Sequence, residues 1–363
     1  MKIVFSNYDS PGNPWYDGGG ARAVQAVASR LADRHTVRYV SGTFPGAPGG
    51  PEKGVARLRI GFAWAGPKLG QLFFQFLLPW CVRRLDFDVW VESLTPPFST
   101  ACLQRFTRRP VVALTQVLAG RGMTRKYRLP FATIERWGLR QYRNFIATSE
   151  HLRDELRRLN PNAQIAVIPN GVEGRLVREG RHDRDRHVLF LGRFDIAQKG
   201  IDLLLDAVAQ GPPLRLPLIM AGAGVPADEA WIRRRIQDLG LQDRVQLPGR
   251  VEGEERLRLF REAACLVLPS RFEASPLVLA EAFCFALPVV MFDIPELKGL
   301  PSTCCLKVPL PDPMLFGAAL RRLLADAACR QVMGRAARQE SRRYDWDDLA
   351  AQYEAFLQSV TGS

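Results

Sequence analysis

Two α/β domains in tandem, each a doubly wound parallel sheet, are predicted by three features of this 363-residue sequence. Short apolar runs alternate with longer segments whose apolar residues recur at helical spacing, a pattern that implies parallel strands covered on both faces. The length suits two domains of roughly 100–200 residues each. Near the middle, residues 173–186 read EGRLVREGRHDRDR, a polar, almost apolar-free stretch of the kind that separates domains.

Taken in order, Met1-Lys2-Ile3-Val4-Phe5 leads directly into a first buried strand over residues 2–6, with no signal peptide expected ahead of it. Further strands are expected at 37–40, 88–92, 110–114, 144–148 and 165–168, then at 187–191, 217–221, 244–247, 265–268 and 288–292. Amphipathic helices are expected at 22–32, 201–209, 229–239 and 254–264. Residues 42–54 (GTFPGAPGGPEKG) read as a surface loop inside the first domain. The longest apolar stretch, residues 69–82, carries Gln71 and Gln75 and falls short of the ~20 residues that span a bilayer. It is expected as a helix buried in the first domain; an apolar contact with a membrane surface, ending at Arg83 and Arg84, is the alternative. The domain limits are then 1–172, a linker at 173–186, a second domain at 187–342 and a terminal helical segment at 343–363.

Composition narrows the class: 47% apolar and 24% charged residues exclude a disordered or fibrous chain. The seven cysteines are scattered and never form C-x-x-C, which argues against a disulfide framework and a cysteine zinc site and for a reducing, cytoplasmic setting. Four histidines without H-x-H or H-E-x-x-H spacing speak against a histidine-built metal hydrolase. All of the net charge of +13 lies in residues 1–180, and residues 101–160 alone hold 13 basic against 4 acidic side chains, among them Arg105, Arg108, Arg109, Arg121, Arg125, Lys126 and Arg128. Such asymmetry points to an anionic partner for the first half: acidic lipid head groups, a phosphorylated acceptor or nucleic acid. A basic face that serves only solubility is the competing account. Nucleic acid is not expected, since basic and aromatic residues do not interleave in any recognised binding pattern.

Doubly wound sheets bind ligands outside the carboxyl ends of their strands, and three strand-to-helix turns there carry candidate chemistry. Gly18-Gly19-Gly20 precedes the first helix, where backbone N–H groups can approach an anion closely. Phe190-Leu191-Gly192-Arg193 ends a strand, and Lys199-Gly200 opens the next helix, so that two cations stand where a diphosphate could lie. The third turn is the most specific. An apolar strand ends at Leu268, Ser275 and Pro276 suit the N-cap and first position of a helix, and the N–H groups of Leu277 and Val278 would face the cleft. Glu273 before that helix and Glu281 inside it flank an anion-binding helix end, an arrangement that requires hydroxyls or cations to meet the two carboxylates.

Glu273 and Glu281 form an E-x7-E pattern that resembles the retaining glycosyltransferases of family 4, also called glycosyl transferases group 1. The glycine loop at 18–20, Ile168-Pro169-Asn170-Gly171-Val172, Gly192-Arg193 with Lys199-Gly200, and Ala221-Gly222-Ala223-Gly224 match the family in the same order. The resemblance implies a GT-B fold, two Rossmann-like domains with the last helix crossing back to the first. It implies a nucleotide-sugar donor, by default a UDP-sugar, in the second domain. Arg193 and Lys199 would neutralise the diphosphate, Glu281 would accept ribose hydroxyls and Glu273 would meet the sugar. Leu277 and Val278 would supply amides to the phosphate, and Gly19, with Gly20 and Gly222, would close around the donor. Neither a cofactor nor a metal is implied.

One departure bears on chemistry: where the family often has a histidine, this chain has Gln116, which places an amide on the acceptor side. Asp86-Phe87-Asp88 is a D-x-D, the metal motif of an unrelated transferase fold, but it runs directly into a strand without supporting residues. A hydrolysing nucleotide-sugar epimerase shares the implied architecture, and a non-catalytic binding homologue is a third reading.

Overall fold

The computed structural model describes residues 1–15, 19–47, 50–95, 100–183 and 185–362, and of these the side chain of Lys126 is not described. Strands β1 (Lys2–Asn7), β2 (Thr36–Gly42), β3 (Ala56–Ile60), β4 (Val89–Ser93), β5 (Val111–Thr115), β6 (Asn144–Ala147) and β7 (Gln164–Val167) form one sheet in the order β3-β2-β1-β4-β5-β6-β7. A second sheet, β10-β9-β8-β11-β12-β13, is built from β8 (His187–Leu191), β9 (Leu218–Ala221), β10 (Val245–Gly249), β11 (Ala263–Leu268), β12 (Val289–Phe292) and β13 (Cys305–Val308). All strand pairs in both are parallel. Two compact units result, Met1–Asn170 with Trp346–Ser363, and Gly171–Asp345. In each sheet the strand order reverses once, between β1 and β4 and between β8 and β11, and such switch points open the crevice where ligands of doubly wound sheets bind.

The central strands are buried along their whole length, VWVES in β4 and AACLVL in β11, as expected for parallel strands sandwiched between helices. On one face of the first sheet Ile3, Phe5, Val24, Val27 and Leu31 pack with Trp346, Leu349, Tyr353 and Leu357; on the other, Val4, Tyr8, Phe74, Leu78 and Trp90 form a second layer. The terminal helix Trp346–Thr361 thus completes the first unit although it ends the chain. The Arg30–Asp347 ion pair (2.6 Å) and the His35–Glu354 hydrogen bond (2.8 Å) fix it against helix Gly19–Leu31 and the turn that follows.

Three expectations need correction. Residues 173–186 are not a bare linker: helix Gly174–Glu179 lies within them and belongs to the second unit. Arg338 donates to the carbonyls of Leu176, Arg178 and Cys284, so the polar composition reflects outward-facing side chains on a docked segment. Two edge strands, β3 and β13, were not expected; ARLRI alternates arginine with apolar residues and CLKV is short, and both patterns suit a half-exposed edge. Residues 69–82 do form a helix, Gly66–Arg84, but only one face is buried, with Leu69, Phe76 and Trp80 exposed on the other. Asp86 and Asp88 stand at the opposite, N-terminal ends of β1 and β4. Lys2 (2.5 Å) and Arg109 (2.9 Å) hold the Asp86 carboxyl below the usual range, and Asp88 accepts the Lys2 N–H at 2.7 Å. The D-x-D therefore joins strand beginnings.

Glu92, buried at the end of β4, accepts the Ala101 N–H (2.7 Å) and the Tyr142 O–H (2.6 Å). Burial outweighs both bonds and pushes its carboxyl up to about 7. A raised folded pKa means that the unfolded chain releases its proton first, so this group's contribution is complete below about pH 4.5 and is lost as pH rises through about 7. Urea unfolding at pH 5 and pH 8 is expected to show wild type losing stability relative to Glu92→Gln across that interval; a difference independent of pH would contradict the assignment.

Candidate functional site

At the switch point of the second sheet, the loops after β8 and β11 bring the sequence-predicted Lys199 and Glu273 into contact. Lys199 Nζ lies 2.6 Å from Glu273 Oε1, with the two side chains 16% and 5% exposed. Ser270 Oγ donates to the same oxygen at 2.5 Å, leaving Oε2 as the other face of the carboxylate. This is a desolvated charge pair, held among the described residues by hydrogen bonds to Glu273 Oε1.

The local chain explains the placement. Asp195 caps the short helix Ile196–Lys199 by accepting the Gln198 N–H, and Gly200 then turns with φ +60. A side chain at Gly200 would sit 2.0 Å from the Pro269 carbonyl oxygen, so glycine is what lets the Lys199 turn lie against the loop after β11. Arg271 closes the same junction: its guanidinium donates to both Asp202 oxygens (2.8 and 2.6 Å) and its backbone N–H donates to the Gln198 carbonyl. Gly222, after β9, has φ +154, and a Cβ there would fall 1.8 Å from the Gly192 carbonyl oxygen. The chain after β8 and the chain after β9 thus pass with no room for a side chain.

Arg193 is more open: its guanidinium is exposed and hydrogen-bonds Gln198 (2.7 Å) and Asp195 (3.3 Å). Helix Leu277–Cys284 starts one residue later than expected, with Pro276 rather than Ser275 in the cap position and no side-chain bond from that cap. The N–H groups of Leu277 and Val278, in its first turn, lack intrahelical acceptors and mark the positive end of the helix. Glu281, one turn inside, is engaged by Arg256 at 2.5 and 3.3 Å. Sequence reasoning missed Arg256. It lies in the EERLR run of helix Gly253–Arg261, where nothing distinguishes it from its charged neighbours.

In the first unit, Gln116 follows β5 and exchanges two hydrogen bonds with Asn170, Nε2 to Oδ1 at 3.2 Å and Nδ2 to Oε1 at 3.0 Å. A Cβ on Gly20 would lie 3.7 Å from Gln116 Cγ, so the start of helix Gly19–Leu31, Gln116 and Asn170 share the carboxyl edge of that sheet. Gly18 lies outside the described residues. Among the described residues no group of three or more His, Cys, Asp or Glu is gathered as a metal centre would need.

Two parallel sheets of this topology form the GT-B fold, which solved structures share: sucrose-phosphate synthase from Thermosynechococcus elongatus superimposes with a TM-score of 0.81 at 21% identity, over 100% of this chain and 99% of the other. Residues 17–174 match Glycosyltransferase Family 4 and residues 185–326 match Glycosyl transferases group 1, and the chain belongs to this family. GDP-mannose:cellobiosyl-diphosphopolyprenol alpha-mannosyltransferase of Xanthomonas campestris is 31% identical over 175 residues, 47% of this chain and 45% of the relative. Phosphatidyl-myo-inositol mannosyltransferase of Mycolicibacterium smegmatis is 27% identical over 295 residues, 77% and 72% of the two chains. Against the first of these the chain spans about half the relative's length.

Removing one partner of the Lys199–Glu273 pair leaves the other charge desolvated. Lys199→Met is expected to cost about 3 kcal/mol, and Glu273→Gln in the same chain to recover most of it, as measured by chemical unfolding of the single and double variants. Additive losses in that cycle would show that the two groups act separately.

Proposed function

We propose that the protein is a retaining hexosyltransferase that moves a sugar from a nucleoside-diphosphate donor, by default a UDP-sugar, to an anionic or lipid-linked glycan precursor. The observation that carries this reading is the Lys199–Glu273 contact at the switch point of the second sheet, beside the open N-terminus of helix Leu277–Cys284. Breaking the sugar–phosphate bond develops negative charge on the departing diphosphate. Fixed cations and helix amides aimed at that charge stabilise the transition state more than the ground state. Arg193, with its exposed guanidinium, and Lys199 are assigned to the diphosphate, together with the amides of Leu277 and Val278. Glu273 Oε2 is assigned to a donor-sugar hydroxyl. Glu281 is assigned to the ribose hydroxyls, its carboxylate oriented by the contact with Arg256. Gly19, Gly20 and Gly222 allow close backbone approach to the donor. Two cations and a helix end supply the charge that a divalent ion would otherwise provide, so no metal is assigned to the reaction.

The acceptor is assigned to the first unit, where residues 101–160 carry a net charge of +9 and Gln116 offers an amide. The names of two relatives support a lipid-linked acceptor, since cellobiosyl-diphosphopolyprenol and phosphatidyl-myo-inositol both join a phosphate to a lipid. This reading puts the enzyme at the cytoplasmic face of a membrane. Among the described residues no helix is long and apolar enough to cross one.

A thermal-shift panel of UDP, GDP and their sugar conjugates identifies the donor, because a ligand that binds only the folded chain raises its stability; the GDP-mannose in one relative's name makes both bases necessary arms. With that donor, Arg193→Ala is expected to lower turnover by about 100-fold or more while the unfolding midpoint holds. Turnover equal to wild type would remove Arg193 from the reaction. Activity is expected to survive chelation, and the anomeric configuration of the product, read by NMR, to match that of the donor. Glu281→Ala is expected instead to weaken binding of the free nucleoside diphosphate in calorimetry.

A further inference from the structure

Helix Gly66–Arg84 presents an apolar stripe on its outer face. Leu69, Phe76 and Trp80 are exposed, and at 69, 73, 76 and 80 the spacing keeps Phe73 on the same side. The turn before the helix extends the stripe: Phe62 lies 5.2 Å and Trp64 6.2 Å from the Phe73 ring, and Phe62 and Trp64 lie 5.5 Å from each other. Phe62, Trp64, Leu69, Phe76 and Trp80 are between 44% and 76% exposed. Five large apolar side chains left in water within twenty residues form a continuous patch, and such patches mark interaction sites.

Charge decides what covers it. From Lys53 to Leu85 the chain contains six basic residues and no acidic one; the Arg57 side chain is buried and paired with Glu52, and the exposed cations of the segment are Lys53, Lys68, Arg83 and Arg84. Lys68 and the two arginines at the helix end are exposed beside the stripe, and the Arg84 guanidinium lies 4.3 Å from the centre of the Trp80 ring. Aromatic residues beside long cationic side chains suit the boundary between acyl chains and anionic head groups, where the rings enter and the cations stay at the phosphates. We propose that this face lies in the surface of an anionic bilayer, with the helix parallel to the membrane plane. From Leu69 to Trp80 the inserted stripe is about 16 Å long at 1.5 Å per residue. The proposal deepens the membrane reading above and rests on it for its biological setting, but the contact itself needs neither donor nor acceptor. It also moves the membrane contact away from residues 101–160.

The test is sedimentation of the full chain with phosphatidylglycerol-containing and pure phosphatidylcholine vesicles, without any substrate, at two salt concentrations. Preferential, salt-sensitive binding to the anionic vesicles is expected, and Phe76→Ser with Trp80→Ser is expected to weaken it about tenfold or more. Those variants are paired with the nucleotide thermal shift, which reads the other unit: a retained shift with lost vesicle binding supports the proposal, whereas vesicle binding equal to wild type overturns it. If the double variant does not fold, wild type and Trp80→Phe carry the test through quenching by brominated lipid. Emission quenched in wild type and less so in Trp80→Phe supports insertion; no quenching overturns it. Equal, negligible binding of wild type to both vesicle types overturns it, as does self-association through this face without vesicle binding. Transfer can fail with vesicle binding intact, and the reverse, so the two readings fall separately.

Discussion

A lysine and a glutamate that are almost wholly withdrawn from water face each other at the one place where the second sheet reverses its strand order. Charges buried this far are tolerated only when geometry and extra hydrogen bonds offset the loss of hydration, and much of the surrounding architecture can be traced to that requirement. Ser270 supplies the extra bond, Gly200 removes the Cβ that would hold the two loops apart, and Arg271 ties the loops together through Asp202. The close passage of Gly222 and Gly192 belongs to the same edge. These interlocking contacts fix the two side chains relative to each other, the geometry that electrostatic stabilisation of a developing charge, as proposed, requires.

The central strands and the site loops were legible because the physics that makes them is local. A fully buried parallel strand must be apolar throughout, and VWVES or AACLVL satisfies that in six residues or fewer. Lys199 and Glu273 were visible because they follow strand ends, where such sheets bind ligands. What stayed hidden depends on partners remote in sequence. Arg256 reaches Glu281 across 25 positions and looks in sequence like any helix-surface arginine. The capping preference of serine pointed to Ser275, whereas Pro276 occupies the cap, since the loop after β11 is shaped by its contacts with Gln198 and Asp202.

The helix at Gly66–Arg84 shows a different failure. Its apolar content favours burial, because in a Rossmann-like layer an apolar helix ordinarily lies on the sheet, with contact to a membrane surface as the alternative. One face does so through Phe74, Leu78, Cys81 and Val82. The other face is equally apolar, so the helix has little amphipathic contrast, and hydropathy could not separate a face buried by protein from one left bare. The helix leads from the edge strand β3 to the central strand β4, and its buried face packs with Val4, Tyr8, Val40 and Trp90.

The two units therefore carry chemistry of different kinds. In the second, charge is buried, paired and immobile, and acidic and basic residues balance across residues 181–363. In the first, the excess of positive charge lies mostly on exposed side chains, where salt screens it and each cation contributes modestly, so its effect is collective and acts over a Debye length of about 8–10 Å. A diffuse field of that sort cannot orient a small substrate, but it can hold an enzyme near an anionic surface. On the proposed reading, orientation comes from short-range contacts such as the Gln116–Asn170 amide pair, in which the two side chains exchange hydrogen bonds at the carboxyl edge of their sheet. Attraction by many weak cations and selection by a few fixed amides are separable, and a change in one should leave the other intact.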